Sequence, residues 1–135
     1  MVIRYLTREE IETVNKFLAL KYGFKHVVIK PGMLDLCVES PKRIVFGHEV
    51  YPNKIEKAAA LMKEINKSHP FLGGNKRTAY VAATTFLELN GYRLSAETEA
   101  AVDISIKTAV CSVDTLDIFN WMKECCIRSP WHPIE

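Results

Sequence analysis

The sequence predicts a single, mainly helical domain spanning residues 1–135, a compact bundle of about six helices around a central helix that carries the most distinctive motif, with a short β-like flap. Three observations support this fold class. Apolar residues recur at spacings of three and four along most of the chain, the pattern of amphipathic helices. Capping residues and glycines separate these stretches. The length of 135 residues suits one domain with its own core.

The first helix is predicted between Thr7 and Gly23. Thr7 is a good N-cap residue, and Glu10 stands at the capping-box position three residues later. Gly23 is a typical stop signal after the last apolar position. The apolar face of this helix comprises Ile11, Val14, Leu18 and Tyr22.

The next stretch predicts short elements. Residues 26–29 form a short β-like run, and residues 33–40 are expected to form a short helix that Pro41 ends. Residues 44–46 are apolar and predict either an extended segment or a buried loop.

A longer helix is predicted over residues 52–68. Its buried stripe comprises Ile55, Ala58, Ala59, Met62 and Ile65. His69 lies four residues after Ile65 and so continues the stripe, which predicts that its imidazole is held inside the fold. Pro70 disfavours the α conformation at His69 and is expected to end the helix there.

The central helix follows, with Gly74 or Asn75 as N-cap and Asn90-Gly91 as the stop. Its apolar stripe comprises Ala79, Ala82, Ala83, Phe86 and Leu87. Small alanines allow neighbouring helices to approach closely, which favours a central position. Residues 92–94 are predicted to be extended. Two closing helices are expected near 97–111 and from Ser112 to 126, followed by an irregular tail at 129–135.

Residues 69–79, between the two long helices, carry the strongest chemical signal. They combine a histidine, a glycine pair and the adjacent cations Lys76 and Arg77, expected at positions N1 and N2 of the central helix. A helix N-terminus carries partial positive charge, so cations are unfavourable there unless an anion binds. Gly73 and Gly74 predict a tight turn or a close approach of the backbone to that anion. Phe71 is expected to anchor the loop in the core.

At these residues the sequence resembles the Fic/Doc superfamily, and within it the death-on-curing branch. The superfamily motif is His-Pro-Phe-x-acid-Gly-Asn-Gly-Arg, and the death-on-curing form has lysine for the last glycine, as residues 69–79 do. Similar stretches flank the motif at 31–35, 51–59 and 86–92. The resemblance covers residues 5–125. It implies that residues 31–35 form a flap beside the active site, where a target segment is added as a strand; a plain connector is the alternative.

The resemblance implies transfer of a phosphorus-containing group from ATP to a hydroxyl. His69 would be the general base, which requires a neutral imidazole near pH 7, and Lys76 and Arg77 would complete the catalytic set. The nucleotide-binding residues would be Gly73, Gly74, Asn75, Lys76 and Arg77. Lysine at position 76 implies transfer of the γ-phosphate to a Ser or Thr of a target such as elongation factor Tu, and a toxin restrained by an antitoxin in trans. Transfer of AMP is the alternative.

Gly73 departs from the family pattern. It stands where the family has the acid that holds magnesium, so binding of Mg²⁺ is left open, and Asp35, Glu49 and Glu64 are alternative anchors that the sequence does not distinguish. A nucleotide- or peptide-binding module with weakened transfer is therefore a second hypothesis. A purely structural bundle is a third, and it requires the motif to be accidental.

Composition excludes several classes of protein. The formal charge of +2 does not favour a general nucleic-acid or membrane-surface binder, and no apolar run is long enough to span a membrane. A cytoplasmic protein is expected. Cys37, Cys111, Cys125 and Cys126 show no zinc-site spacing and are predicted to be reduced, with Cys37 and Cys111 filling the core. The three other histidines, predicted to be surface or hydrogen-bonded loop residues, are His26, His48 and His132.

Overall fold

A computed structural model describes residues 2–94 and 114–128, and in this part of the chain the fold is mainly helical, as predicted. Its helices are α1 (Arg8–Tyr22), α2 (Pro31–Glu39), α3 (Lys54–Ser68), α4 (Asn75–Leu89) and α5 (Thr115–Cys125). Its strands are β1 (Ile44–Val45), β2 (His48–Glu49), β3 (Tyr92–Leu94) and β4 (Cys126–Arg128). The predicted helix near 97–111, Cys111 and the tail at 129–135 lie outside the described residues. No helix in the described ranges has the length and apolar character that a membrane span requires.

The ends of α1 match the prediction. The Thr7 hydroxyl accepts a hydrogen bond from the backbone N–H of Glu10, and the Glu10 carboxylate accepts one from the N–H of Thr7. Gly23 ends the helix in the left-handed conformation at φ 76°. The buried face differs from the predicted one, because Asn15 and Ala19 are buried on it beside Ile11 and Leu18. Val14 and Tyr22 are only partly buried.

Helix α2 begins earlier than predicted. Pro31 occupies the first turn, where a missing N–H costs nothing and the fixed φ suits a helix. Pro41 does not simply end the helix, because a 3₁₀ turn at Ser40–Lys42 contains it. Residues 31–35 therefore lie at the start of a helix, so the alternative of a plain connector is wrong. The small β-hairpin at residues 44–49 confirms the short β-like flap of the predicted fold.

The segment 44–49 is a β-hairpin on the surface. Strands β1 and β2 pair antiparallel, with Val45 opposite His48, and the turn between them is Phe46-Gly47. Both turn residues have positive φ, 51° and 78°, as a two-residue type I′ turn requires. The alternative of a buried loop is wrong, since Phe46 is 97% exposed.

The core lies between α3 and α4, as the two apolar stripes predict. The fully buried residues on these two helices include Ala58, Ala59, Met62, Ile65, Ala79, Ala82, Ala83 and Leu87. Helix α5 packs on α3 and contributes Ile118 and Met122 to the same core. Its N-cap is Asp114, later than the predicted start at Ser112, and Asp117 completes a capping box.

Strand β3 confirms the extended segment predicted at 92–94. It pairs antiparallel with β4, which the sequence reasoning placed partly in a helix and otherwise missed. The cysteines Cys37, Cys125 and Cys126 are free, and Cys37 is fully buried in the core as predicted. Burial raises the pKa of the Cys37 thiol to about 12, which makes it unreactive.

Candidate functional site

The residue His69 ends α3 in the left-handed conformation, with φ 48° and ψ 59°. Its backbone N–H donates to the carbonyl of Ile65, which closes the last turn. The helix ends here, as Pro70 predicts. The imidazole is exposed, however, so the expectation of a buried ring is wrong. The physical reason is that a left-handed residue leaves the helical path, and the spacing of the stripe no longer decides where its side chain lies.

The loop from His69 to Gly74 is held by buried contacts. Phe71 has no exposed surface, which agrees with its predicted role as an anchor. Its N–H donates to Oδ1 of Asn75 at 3.1 Å, and its carbonyl accepts from Nδ2 of Asn75 at 2.9 Å. Phe71 also forms a bridge with Val28 of the extended segment after α1. Since the side chain of Asn75 closes the loop, its backbone N–H is the group left to bind an anion.

The two glycines of the loop have different roles. Gly74 has φ 72°, and a Cβ there would lie 2.2 Å from Cζ of Phe24, so both the turn and the aromatic ring require glycine. Gly73 has an ordinary φ, and its nearest neighbour would be Cδ1 of Phe24 at 3.4 Å. At Gly74, packing of the ring supplies a reason for glycine that the sequence did not suggest. At Gly73, the fold does not demand a glycine.

Helix α4 begins at Asn75 with Gly74 as N-cap, one of the two predicted alternatives. Lys76 and Arg77 therefore occupy N2 and N3, one position later than expected. The first turn contains no acidic residue, so nothing there offsets the positive end of the helix dipole. Lys76 is exposed, and the guanidinium carbon of Arg77 lies 3.9 Å from the ring centre of Tyr22. This stacking holds the guanidinium of Arg77 against the ring of Tyr22.

These groups line one open cleft of about 430 Å³. The residues lining it are Tyr22, Phe24, His69, Leu72, Gly73, Gly74, Asn75, Lys76 and Arg77. All six residues predicted for the site are among them. A cleft that joins a helix N-terminus, two cations and an imidazole can bind a polyphosphate and accept a proton beside it.

The cleft does not fit magnesium held by the protein. Mg²⁺ prefers oxygen ligands, above all carboxylates, and none of the described residues lining the cleft carries one. The three alternative acids are not among them either. Asp35 pairs with Arg8 and Glu49 with Lys57, both at 2.9 Å, and Glu64 accepts from the Ser68 hydroxyl at 3.1 Å. Within residues 2–94 and 114–128, no cluster of three potential metal ligands occurs.

Sequence reasoning missed Asn15 and the support that it and His26 give to the site from α1 and its following segment. Asn15 is fully buried and donates to the carbonyl of Gly73 at 3.0 Å. His26 lies 2.7 Å from the Asn15 side-chain oxygen, which confirms the hydrogen-bonded alternative for this histidine. The signal for Asn15 was available, since an asparagine four residues after Ile11 interrupts an apolar stripe. His48 lies on the exposed hairpin, as a surface histidine should, and His132 is outside the described residues.

The fold and the cleft together define a class of protein: a small helical domain with a histidine at the end of one helix beside the cationic N-terminus of the next. Comparison with known proteins identifies the family. A family model described as the Fic/DOC family matches residues 5–87. The chain is also 36% identical over 116 residues to a protein of Mycolicibacterium smegmatis named Toxin Doc, covering 83% of this chain and 87% of that protein. This chain therefore belongs to the Fic/DOC family.

Proposed function

We propose that this protein is a cytoplasmic toxin that transfers the γ-phosphate of ATP to a Ser or Thr hydroxyl of a target protein, by analogy a translation factor such as elongation factor Tu. One observation carries the proposal: His69, Lys76 and Arg77 line the same cleft at the start of α4, in a member of the Fic/DOC family. The name of the relative, Toxin Doc, supports the role of a toxin and an antitoxin partner that restrains it in trans.

The proposed step uses groups that the cleft contains and the two substrates. The imidazole of His69 takes the proton of the target hydroxyl, whose oxygen attacks the γ-phosphorus. The bond from that phosphorus to the bridging oxygen breaks, and ADP leaves with the electron pair. Lys76, Arg77 and the N–H groups at the start of α4 hold the phosphate oxygens, where charge shifts in the transition state.

The target segment is proposed to bind along residues 26–30, which replaces the flap expected at 31–35. On one side this segment bonds to the motif loop, since Ile29 N–H donates to Pro70 and the carbonyl of Val27 accepts from Leu72, both at 2.9 Å. In an antiparallel pair the N–H and C=O groups of the intervening residue point to the opposite side. Among the described residues, nothing bonds to those groups of Val28. A target strand added there would lie next to the cleft.

A second candidate function is nucleotide or peptide binding with little transfer. The observation that favours it is the lack of a carboxylate among the described residues of the cleft, with Gly73 in the place of the family acid. Since Gly73 has an ordinary φ and room for a Cβ, Gly73→Asp should fold. This variant supplies the missing carboxylate without disturbing the turn at Gly74.

The test is a transfer assay with ATP labelled at the α or the γ position, followed by mass spectrometry of the acceptor protein in a cell lysate. The parent chain, Gly73→Asp and His69→Ala are compared with added magnesium. Label from the γ position that disappears in His69→Ala supports the proposal. Label from the α position only would instead assign AMP transfer. Label that appears only with Gly73→Asp would assign the binding module to the natural chain.

A further inference from the structure

A chain of hydrogen-bonded side chains connects α1 to the turn at Gly73 and Gly74. It comprises His26, Asn15 and Thr78 and is called the relay. Nδ2 of Asn15, on the fully buried face of α1, donates to the carbonyl of Gly73 at 3.0 Å and to the hydroxyl of Thr78 at 2.9 Å. Thr78 is also fully buried, in the first turn of α4. One side chain thus joins the loop before α4 to the helix itself.

The chemistry of the partners determines the orientation of the Asn15 amide. The carbonyl of Gly73 can only accept a hydrogen bond, so the amide nitrogen of Asn15 must face it. The Asn15 oxygen then faces Nδ1 of His26, at 2.7 Å, and this ring nitrogen must carry a proton. The other ring nitrogen of His26 lies 3.7 Å from the carboxylate of Glu12. The relay therefore has a defined direction, from His26 to Asn15 to Gly73.

The relay acts on the site through one peptide bond. The carbonyl of Gly73 and the N–H of Gly74 belong to the same planar trans peptide, so they point in opposite directions. Fixing the carbonyl toward α1 fixes the N–H of Gly74 on the side away from α1. Gly74 lines the cleft, and among the described residues no acceptor bonds to its N–H.

We propose that Asn15 is a positioning residue that orients the peptide between Gly73 and Gly74, so that the N–H of Gly74 binds a phosphate oxygen. His26 and Thr78 hold the Asn15 amide in the orientation that this requires. The inference rests on the proposed function for the identity of the ligand, ATP, but the orientation of the peptide is a property of the free protein.

The experiment compares Asn15→Asp and Asn15→Leu with the parent. Aspartate keeps the shape and an acceptor for His26 but places a second acceptor against the carbonyl of Gly73. Leucine removes the hydrogen bonds to Gly73, Thr78 and His26. Asn66→Leu is the matched control, since Asn66 is also buried but bonds to Met62 within α3. Binding of ATP, and of inorganic phosphate as a minimal probe, is measured by titration. We expect binding about tenfold weaker in both Asn15 variants, the size of one lost hydrogen bond to a charged group, and nearly unchanged in the control.

A second readout uses the free protein. The amide resonance of Gly74 should shift in the Asn15 variants and stay in place in Asn66→Leu, and nitrogen shifts of His26 should show a proton on Nδ1 in the parent. If the Asn15 variants do not fold, Thr78→Val takes their place. It removes one partner of Asn15 and should give a smaller shift of the Gly74 resonance and a smaller loss of phosphate binding. An unmoved Gly74 resonance with unchanged phosphate binding in a folded variant overturns the inference. A parent that binds neither probe while the relay shifts are seen would reject the proposed function and the ligand, but not the orientation of the peptide.

Discussion

Helix α3 lies between two turns that have similar backbone φ angles, one exposed to solvent and the other held by buried contacts. The hairpin before α3 contains Phe46 and Gly47, at φ 51° and 78°, and the motif loop after it contains His69 and Gly74, at φ 48° and 72°. The hairpin turn projects into solvent, with Phe46 97% exposed, whereas the loop is fixed from several sides through Phe71, which has no exposed surface. Both turns contain residues with positive φ, so this backbone feature does not distinguish the site. The long-range contacts around the motif loop distinguish it.

The contacts that hold each region differ in kind. In the hairpin, the half-exposed carboxylate of Glu49 lies 2.9 Å from the buried ammonium of Lys57 on α3. The motif loop is held by an asparagine on each side, a strand-like bridge and an aromatic ring over the glycine. Groups that must bind charge in a fixed geometry benefit from such support, because no reorganisation is needed when the ligand arrives.

The largest expected difference between the two regions is in the free energy of unfolding, when one phenylalanine in each is replaced by alanine. Phe71→Ala should lower the free energy of unfolding by about 3 to 5 kcal/mol, because it leaves a cavity in the core. Phe46→Ala should change it by less than about 0.5 kcal/mol, because the ring is in water. Urea unfolding of both variants measures the difference. Equal losses would mean that the hairpin turn is packed in solution and that the comparison is wrong.

A smaller difference in the free energy of unfolding is expected between alanine substitutions at Gly47 and at Gly74. Gly47→Ala should cost about 1 to 2 kcal/mol, since a Cβ in the left-handed conformation is strained but meets nothing within 4 Å. Gly74→Ala carries the same strain and also overlaps Phe24, so it should lose about 1 to 3 kcal/mol more. Thermal or urea unfolding measures both.

The overlap between a Cβ at residue 74 and the ring of Phe24 can be tested separately. Adding Phe24→Ala to Gly74→Ala removes the obstructing ring, and a double-mutant cycle isolates the interaction between the two positions. We expect a favourable coupling in the double variant. A coupling of zero would show that the ring of Phe24 does not rest on the turn.

The smallest expected effect is the loss of stability when the capping carboxylate of α1 is removed. This helix supports the motif loop through Asn15. Hydrogen bonding to Arg4, together with the N–H of Thr7, lowers the pKa of the Glu10 carboxyl from 4.5 to about 2 in the folded protein. Its contribution to stability is therefore present above about pH 4.5 and is lost as the pH falls toward 2. Glu10→Gln should cost about 1 kcal/mol at neutral pH, a value kept small by solvent screening, and progressively less as the pH falls through 2. Unfolding curves across this range test it, and a difference independent of pH would contradict the assignment.

Features that depend on neighbours in sequence were predictable. The capping box of Thr7 and Glu10, the alanine stripe of α4 and the end of α3 at His69 all follow from spacing or from local backbone preferences. The grouping of the motif residues in one cleft also followed, since they lie within nine positions of one another, from 69 to 77.

Features that depend on distant contacts were not predictable. Phe24 packs on Gly74, fifty positions away, and no local pattern indicates it. The exposure of His69 results from one left-handed residue that removes it from the helical stripe. The first turn of α2 was missed for a different reason, because the predicted helix began at residue 33 although Pro31 is favourable at the first helical position.

The backbone at Gly73 has a consequence for the history of this gene. Its φ is one that any residue adopts and a Cβ there would make only ordinary contact with Phe24, so the backbone does not require glycine at this position. Every glycine codon is a single base change away from a codon for aspartate or glutamate. The gene is therefore one point mutation from a cleft with a carboxylate.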